Sequence, residues 1–506
     1  MSDNENVSSD AESRVEHGLD TLLGVCSLLH EPGNGSAGRT CYDEPVLKLT
    51  LERLSDCQFL DGLAVICWQD QQAAAELAAA DVGASVLPIG PRDFDRVIHD
   101  AAVAQRWSDG WRGGLLSTTP FDAGFHPAAA KMLLDATDAS GLVLVDPSSA
   151  LLDEALIDEL ITHARCVDPH QCRPGLFFSP AAPGLNGMLL RRDLVGELAK
   201  GSRLPGKLLS YDPRSPIIDP LGAEYCYHLE PTISRSLGDF RLRSNAQIHW
   251  AEEELTEGTI AEALCEQAKR SPRQAPIELN IDATTQRHTQ PIWLKKQGGS
   301  TLHFEMVERV MRYAATQADD LRLTFGGRGD PLCWPHLWKA IDLAKSLEIT
   351  AIHVETDLLP AGDDLAKLLT AGVEIVSVHL PAMSAATYEQ VMGTNRLAET
   401  LAAMSQLMMA RDRLGGPTPL IVPTFVKTQT NTGEMETWYD QWLGATGSAV
   451  VRGPDAFGND APAGVEAVAM QRTERRSPAI NLDAIGHVTD QNGQPISIES
   501  DLQAAA

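Results

Sequence analysis

Two glycines and an aspartate lie in a strand–loop–helix segment in the second half of the chain. Residues 321–325 alternate apolar and polar side chains as a short strand does, and Gly326 and Gly327 follow directly. Bare backbone amides at a strand end can hold a carboxylate or a phosphate. Asp330 ends the loop, and residues 336–347 carry apolar side chains at helical spacing. The segment therefore predicts a small-molecule site, although an ordinary strand–helix turn has the same composition.

A second glycine-containing loop lies near the start of the chain. Residues 30–40 read HEPGNGSAGRT and follow an apolar run, 19–29, that predicts a buried strand. Backbone amides of a Gly/Ser loop, together with a guanidinium, can neutralise a nucleotide phosphate. Gly35, Ser36 and Arg39 are therefore candidate nucleotide-binding residues. A flexible polar loop is the alternative, because Pro-Gly-Asn-Gly is also a typical turn composition.

Strand and helix patterns alternate along both halves of the chain, which indicates the α/β class. Strands are predicted in the first half at 19–29, 62–67, 84–88 and 141–145. Strands are predicted in the second half at 277–281, 321–325, 350–355, 373–380, 420–426 and 448–452. The first series predicts an α/β sandwich with a mostly parallel sheet. The second predicts a partial (β/α)6 barrel.

The second half resembles the core domain of radical S-adenosylmethionine (SAM) enzymes. The loop 326–331, GGRGDP, is similar to the family's GGEP-type loop, with Asp330 in place of the usual Glu and two residues inserted. Thr356 and Asp357 stand where the family has Thr-Asn, and AGVE at 371–374 matches its Ala-Gly-Val-Asp strand. The resemblance implies a SAM-like, amine-recognising pocket formed by Gly326, Gly327, Asp330, Thr356 and Asp357.

The same resemblance fails where the family binds its iron–sulfur cluster. The family carries CxxxCxxC after the first barrel strand, whereas residues 282–299 contain no cysteine. The positions with that spacing are Thr285, Thr289 and Ile292, which cannot replace thiolates as iron ligands. A tail of the SPASM type would hold a further cluster, but no cysteine follows Cys333. We therefore expect no Fe–S ligands, with SAM left only as a ligand bound without a cluster.

The first half resembles nucleotidyltransferase-like domains of the glycosyltransferase A (GT-A) fold. A strand, the loop 33–39 and Pro45-Val46-Leu47 have the order of that family's first elements. The family's metal-binding Asp would fall at Ser148 if counted back from the following helix, and Asp146 lies two residues earlier. Asp146 is therefore the candidate ligand for a divalent metal. The order of parts is similar to that of spiro-SPASM proteins.

The composition of the chain narrows the classes of partner that the protein is expected to bind. The chain has 506 residues, with 41 Lys plus Arg against 69 Asp plus Glu and a net charge of −28. Such acidity disfavours nucleic acid and anionic membrane surfaces. The first residues show neither a basic segment nor an apolar core, and the nine cysteines have no metal-ligand spacing, so we expect a cytoplasmic protein with reduced thiols.

The sequence predicts five parts. They are a disordered tail (1–16), the GT-A-like domain (17–250), a helical linker (251–275), the radical SAM-like partial barrel (276–455) and a degenerate SPASM-type tail (456–506).

Three functions remain open. The favoured one is a pseudoenzyme that binds a ligand or serves as a scaffold, because cluster ligands are missing in two places. The alternatives are a nucleotidyl- or glycosyl-transferase acting through the first domain, and a SAM-binding protein without radical chemistry. The expected ligand is a small amine-bearing molecule or a nucleotide, and a protein partner stays open.

Overall fold

The computed structural model describes most of the chain between residues 19 and 498. The described ranges are 19–107, 115–119, 122, 124–167, 174–201, 203–209, 211, 213, 224–256, 260–295, 299–359, 363–454, 464–465 and 477–498. The predicted N-terminal tail lies outside these ranges, as does most of the predicted C-terminal tail. Within them, no helix is long and apolar enough to cross a membrane.

The first half forms a seven-stranded mixed sheet with the order β5-β4-β1-β6-β8-β7-β9. The first-half strands, including a small β2–β3 hairpin, are β1 Leu22–Ser27, β2 Thr40–Cys41, β3 Glu44–Pro45, β4 Gly62–Cys67, β5 Ser85–Pro88, β6 Gly141–Val145, β7 Leu176–Phe178, β8 Met188–Arg191 and β9 Glu224–Cys226. Strands β5, β4, β1 and β6 run parallel, whereas β8 is antiparallel to both of its neighbours.

Helices cover both faces of this sheet, as expected for a buried parallel core. They are α1 Val46–Ser55, α2 Gln72–Ala79, α3 Arg96–Trp107, α4 Pro127–Asp135, α5 Glu154–Cys166, α6 Arg192–Lys200, α7 Pro231–Ser234, α8 Asn245–Glu254 and α9 Ala261–Arg270. One apolar core joins α1, α2 and α5 to the sheet, and a second joins α3, α4 and α6 to its other face.

The segment predicted as a helical linker, 251–275, contains the end of α8 and all of α9, and both helices pack on the first domain. Ala251, Leu264, Cys265 and Ala268 are buried in a cluster with residues such as Phe240. Their apolar face explains the difference, because a charged helix with a continuous apolar stripe buries that stripe against its nearest domain.

The second half forms an eight-stranded sheet with the order β15-β14-β13-β12-β11-β10-β16-β17. Its strands are β10 Glu278–Ile281, β11 Arg322–Phe325, β12 Ala351–Thr356, β13 Ile375–His379, β14 Leu420–Val426, β15 Val450–Arg452, β16 Ala479–Leu482 and β17 Val488–Asp490. The helices are α10 Phe304–Gln317, α11 Leu337–Ser346, α12 Asp364–Thr370, α13 Ala385–Met392, α14 Leu397–Arg413 and α15 Met435–Thr446. Strands β10 to β15 are parallel neighbours in chain order, which confirms the predicted six-unit partial barrel.

The C-terminal hairpin extends the barrel sheet. Strand β16 pairs in parallel with β10, and β17 pairs antiparallel with β16. The chain reverses between these two strands at residues 483–487, and it reverses again at Asn492-Gly493, where Thr489 forms an antiparallel bridge with Pro495. The Asn-Gly turn follows β17, where Gly493 has a φ of +79°.

Helix α3 attaches the first domain to the barrel. Glu374, at the start of β13, accepts hydrogen bonds from Arg106 at 2.7 Å and from the Trp107 indole at 2.8 Å. Arg411 of α14 forms an ion pair with Asp100 of the same helix. The amino-terminal edge of the barrel therefore lies beside the first domain.

Candidate functional site

The loop after β1 is organised by its own carboxylate, that of Glu31. Glu31 accepts hydrogen bonds from the Ser36 amide at 2.8 Å and the Ser36 hydroxyl at 2.6 Å, and it pairs with Arg39 at 3.3 Å. Gly35 has a φ of +52°, and a Cβ there would come within 2.2 Å of Glu31 Oε2. Burial raises the pKa of Glu31 despite Arg39. Gly35 and Ser36 thus surround a side chain of the protein itself, and their nucleotide role stays a prediction.

Asp146 directly follows β6 and is 8% exposed. One carboxylate oxygen accepts hydrogen bonds from the Ser148 amide and hydroxyl, at 2.9 and 2.5 Å. The other forms an ion pair with Arg243 and lies 4.0 Å from Arg241. Burial opposes ionisation, but the two arginines outweigh it and hold the pKa of Asp146 at about 2. Asp146 is therefore an anionic anchor for guanidinium groups.

This arrangement does not fit a resident divalent metal. Both oxygens of Asp146 are already engaged, and the described residues contain no group of three His, Cys, Asp or Glu side chains with the geometry to hold a metal ion. Arg243 supplies the positive charge next to Asp146 instead. The role of Asp146 as a metal ligand therefore stays a prediction.

The two carboxylate-centred clusters open into a cleft of about 1240 Å³ between the domains. The first domain contributes the end of β1, the loop 30–39, Asp146 and the segment 234–243. The barrel contributes residues that begin its strands, among them Glu278, Arg322 and Ala351. The cleft thus lies between the carboxyl edge of one sheet and the amino edge of the other.

His30 lies in the wall of this cleft. Its two ring nitrogens have no hydrogen-bond partner among the described residues. Burial, assisted by His126, lowers the pKa of His30 to about 4, so the ring is neutral at pH 7. His30 therefore offers an uncharged hydrogen-bonding group beside the arginines.

The glycine loop of the barrel packs against residues 282–286. A Cβ at Gly329 would come within 1.9 Å of the Thr284 carbonyl oxygen, and one at Gly327 within 2.8 Å of the Asp282 carboxyl carbon. A Cβ at Gly326 would come within 2.8 Å of Glu355. These glycines are required because the chain's own segments approach them closely.

The remaining residues of the predicted SAM-like pocket form a buried hydrogen-bonded cluster. Asp330, Thr356 and Asp357 are each 0% exposed. Asp330 accepts hydrogen bonds from the Thr356 hydroxyl and the Asp357 amide, both at 2.9 Å. Arg287 donates to the Asp357 carboxylate at 2.5 and 3.1 Å. The structure thus brings the predicted residues together, and their polar groups bind one another.

Two further side chains complete this cluster around Asp357. The Thr289 hydroxyl donates to Asp357, and His379 Nδ1 lies 3.0 Å from the carboxylate. Burial opposes ionisation, yet Arg287 and His379 lower the pKa of Asp357 below its usual range. Burial, with Asp357 beside it, raises the pKa of Asp330 to about 7.

The cluster as arranged does not fit an iron–sulfur centre. The loop that would carry the cysteines instead inserts Arg287, whose side chain is 5% exposed, against Asp357. Cys333 lies nearby, but burial and the two aspartates raise the pKa of its thiol to about 12. A protonated thiol is a poor iron ligand and a poor nucleophile.

His30 and Glu31 lie in the loop 30–40 but were not named as candidates. Four further site residues were missed by the sequence analysis, namely Arg241, Arg243, Arg287 and His379. Arg243 and Asp146 are 97 residues apart, and Arg287 and Asp357 are 70 apart. For these four residues the only sequence signal was the spacing of Arg241 and Arg243, because residues two apart lie on the same side of an extended segment.

No family model matches the sequence, and no curated protein matches it. Several solved structures are similar to parts of the chain. A cytidylyltransferase from Leptospira borgpetersenii has 14% identity and a TM-score of 0.35, over 50% of this chain and 94% of that one. SuiB from Streptococcus suis, bound to S-adenosylmethionine, has 10% identity and a TM-score of 0.32, over 48% of this chain and 67% of that one. A 4-diphosphocytidyl-2C-methyl-D-erythritol synthase from Anaerococcus prevotii has 10% identity and a TM-score of 0.30, over 46% and 95%.

These similarities are weak, and the fold class follows from the topology described above. The chain is an α/β protein in which an α/β sandwich built on a seven-stranded mixed sheet precedes a partial barrel of parallel strands.

Proposed function

We propose that the protein is a non-catalytic binding protein that holds a phosphate-bearing small molecule, of the nucleotide kind, in the cleft between its domains. In this proposal the barrel supports the cleft and performs no radical chemistry. The observation that carries the proposal is the ion pair of Arg243 with Asp146 at the carboxyl edge of the first sheet.

The first argument concerns charge. The resemblance to nucleotidyltransferase-like domains implies a divalent cation at the strand-end aspartate, where it would lie under phosphates. A guanidinium in that place supplies one positive charge and retains donors for further acceptors, because it carries five N–H groups in a fixed plane. The Arg243 side chain is 34% exposed and that of Arg39 is 22% exposed, so both remain accessible to a ligand.

The second argument concerns the lack of catalytic groups. Metal-assisted phosphoryl chemistry depends on cations that neutralise charge developing in the transition state. The described residues offer no group of three His, Cys, Asp or Glu side chains that would hold such a metal ion. Binding without turnover fits this arrangement best.

The third argument concerns the barrel. Radical SAM chemistry needs a cluster held by thiolates, and residues 282–299 contain none. The buried pair of Arg287 with Asp357 stands between this loop and the strand ends. The barrel therefore lacks both the ligands for a cluster and an accessible Asp357.

The test is titration calorimetry with uridine diphosphate (UDP) and with inorganic pyrophosphate, in EDTA and in Mg²⁺. We expect binding in EDTA, and a loss of about tenfold or more in affinity for Arg243→Met, because a hydrogen bond to a charged group contributes about 1.5–3 kcal/mol. Arg309→Met, at an exposed position on α10, is the matched control.

Three results would contradict the proposal. Binding that requires Mg²⁺, or release of a product from a nucleotide substrate, would support the transferase alternative. A melting temperature raised by SAM would support the SAM-binding alternative. Absence of binding by both probes would remove phosphate recognition altogether.

A further inference from the structure

Arg106 of helix α3 repeats, where the first domain meets the barrel, the arrangement of Arg243 with Asp146. Its Nη1 donates to Glu374 Oε1 at 2.7 Å, and its side chain is 38% exposed, whereas that of Glu374 is 13% exposed. The side chains of Arg243 and Asp146 are 34% and 7% exposed. In both pairs an enclosed carboxylate therefore holds a guanidinium that a ligand can reach.

The face of α3 that carries Arg106 borders the cleft. Ala102 and Arg106 both line the cleft, and residues four apart lie on the same face of a helix. Both are partly exposed, whereas Ala104, on another face of α3, is buried against the barrel. Arg106 thus borders the same cleft as Arg39 and Arg243.

The protein itself holds Arg106 in position. Arg322 donates to the Arg106 carbonyl oxygen at 3.1 Å, and the Trp107 indole donates to the second carboxylate oxygen of Glu374 at 2.8 Å. Among the described residues, the Arg106 side chain donates to Glu374 through Nη1, and a guanidinium carries five N–H groups. Donors therefore remain in a planar fork that fits a phosphate or a carboxylate, and a fork held in position loses little freedom on binding.

Three acidic side chains on the barrel side of the cleft are engaged by other groups of the protein. Glu278 pairs with Arg322 at 2.7 Å, and Asp320 pairs with Arg273 at 2.6 Å. Asp319 accepts hydrogen bonds from two backbone amides that begin α8, at 2.8 and 3.1 Å. Arg106 is therefore not needed to balance these three carboxylates.

We propose that the ligand of the cleft carries a second anionic group, a phosphate or a carboxylate, which Arg106 binds apart from the phosphate at Arg39 and Arg243. This proposal rests on the proposed function and adds that the ligand has two separated charged groups. The cleft volume of about 1240 Å³ exceeds the pockets of about 300–1,000 Å³ that take drug-sized ligands, so it accommodates both groups at once.

The test uses two-headed probes of graded length. Alkane-α,ω-bisphosphonates and ω-phosphonocarboxylates with short, medium and long spacers are compared by calorimetry with alkylphosphonates of the same lengths. We expect at least one two-headed probe to bind about tenfold or more tightly than its single-headed counterpart, because its second head gains a charge-assisted hydrogen bond within the same molecule. Other spacers should gain less, because the gain is greatest where the spacer matches the distance between the two arginine sites.

Substitutions locate the second head. Arg106→Met should abolish the gain, so that the best two-headed probe and its single-headed counterpart bind equally. Arg106→Met combined with Glu374→Gln should give the same result without leaving a buried carboxylate unpaired. Glu374→Gln alone should increase the gain, because it removes the carboxylate that competes for Arg106.

The matched control is Arg411→Met. Arg411 pairs with Asp100 and so forms another ion pair between α3 and the barrel, but neither residue lines the cleft. Arg411→Met should therefore keep the gain. An equal loss in Arg411→Met would overturn the proposal, because Arg106 would then act only by holding the domains together.

The remaining outcomes separate this proposal from the proposed function. If UDP binds but no two-headed probe binds more tightly than its single-headed counterpart, the second anion site does not exist and the proposed function stands. If neither UDP nor pyrophosphate binds, the proposed function itself fails.

Discussion

The two domains place an aspartate in the same kind of position, at the carboxyl end of a parallel strand, yet the surroundings differ. Asp146 pairs with Arg243, whose side chain is 34% exposed and borders a large cleft. Asp357 pairs with Arg287, whose side chain is 5% exposed and lies beneath its own loop. The comparison shows that the two ion pairs differ in how accessible the cation is, and this accessibility is what separates the proposed binding site from the enclosed cluster of the barrel.

The largest effect on stability is expected from removing the buried guanidinium of Arg287. Arg287→Met leaves the Asp357 carboxylate in the barrel without its main partner, which should lower the free energy of unfolding by about 3–5 kcal/mol. Arg243→Met should cost much less, because Arg241 remains near Asp146 and solvent reaches the site. Denaturant unfolding of both variants measures the difference.

A double substitution sharpens this prediction. Arg287→Met combined with Asp357→Asn removes both charges, so it should recover part of the loss seen in the single variant. Equal stabilities of the Arg287→Met and Arg243→Met variants would break the comparison, since the two sites would then be equivalent.

A smaller effect on stability is expected from a change of pH. The pKa of Asp330 is about 7 in the folded protein, above its usual value of 3.8, so the folded state binds more protons than the unfolded state between these values. Stability should therefore fall as pH rises from about 4 to about 7. Asp330→Asn cannot ionise and should show a shallower fall. Parallel stability–pH curves for the two proteins would mean that Asp330 does not titrate in this window.

The smallest effect concerns the rate at which the Cys333 thiol is labelled. Its thiol has a pKa of about 12, raised by burial and by Asp330 and Asp357, so thiol labelling of the native protein at pH 7–8 should be slow. Cys166 is exposed and provides the internal reference for a labelled thiol. Labelling of Cys333 as fast as Cys166 would show that the barrel cluster is open to solvent, and would remove its contrast with the cleft.

Local pattern was sufficient for most regular elements. The strand predicted at 62–67 agrees with β4 Gly62–Cys67, because a short apolar run between turn residues has few alternatives. The six barrel strands were predicted in order for the same reason. The pairing of β16 with β10 was not predicted, because local pattern does not specify which distant strands pair.

The sequence by itself determined the α/β class, the order of the two folds and the absence of thiolates from residues 282–299, since each depends on local periodicity or on residue type. Only the tertiary structure decided that Arg243 borders a cleft and that Arg287 is enclosed. The partners in these contacts are far apart in sequence, and their burial depends on how two separately formed domains pack. A linear pattern does not encode that packing.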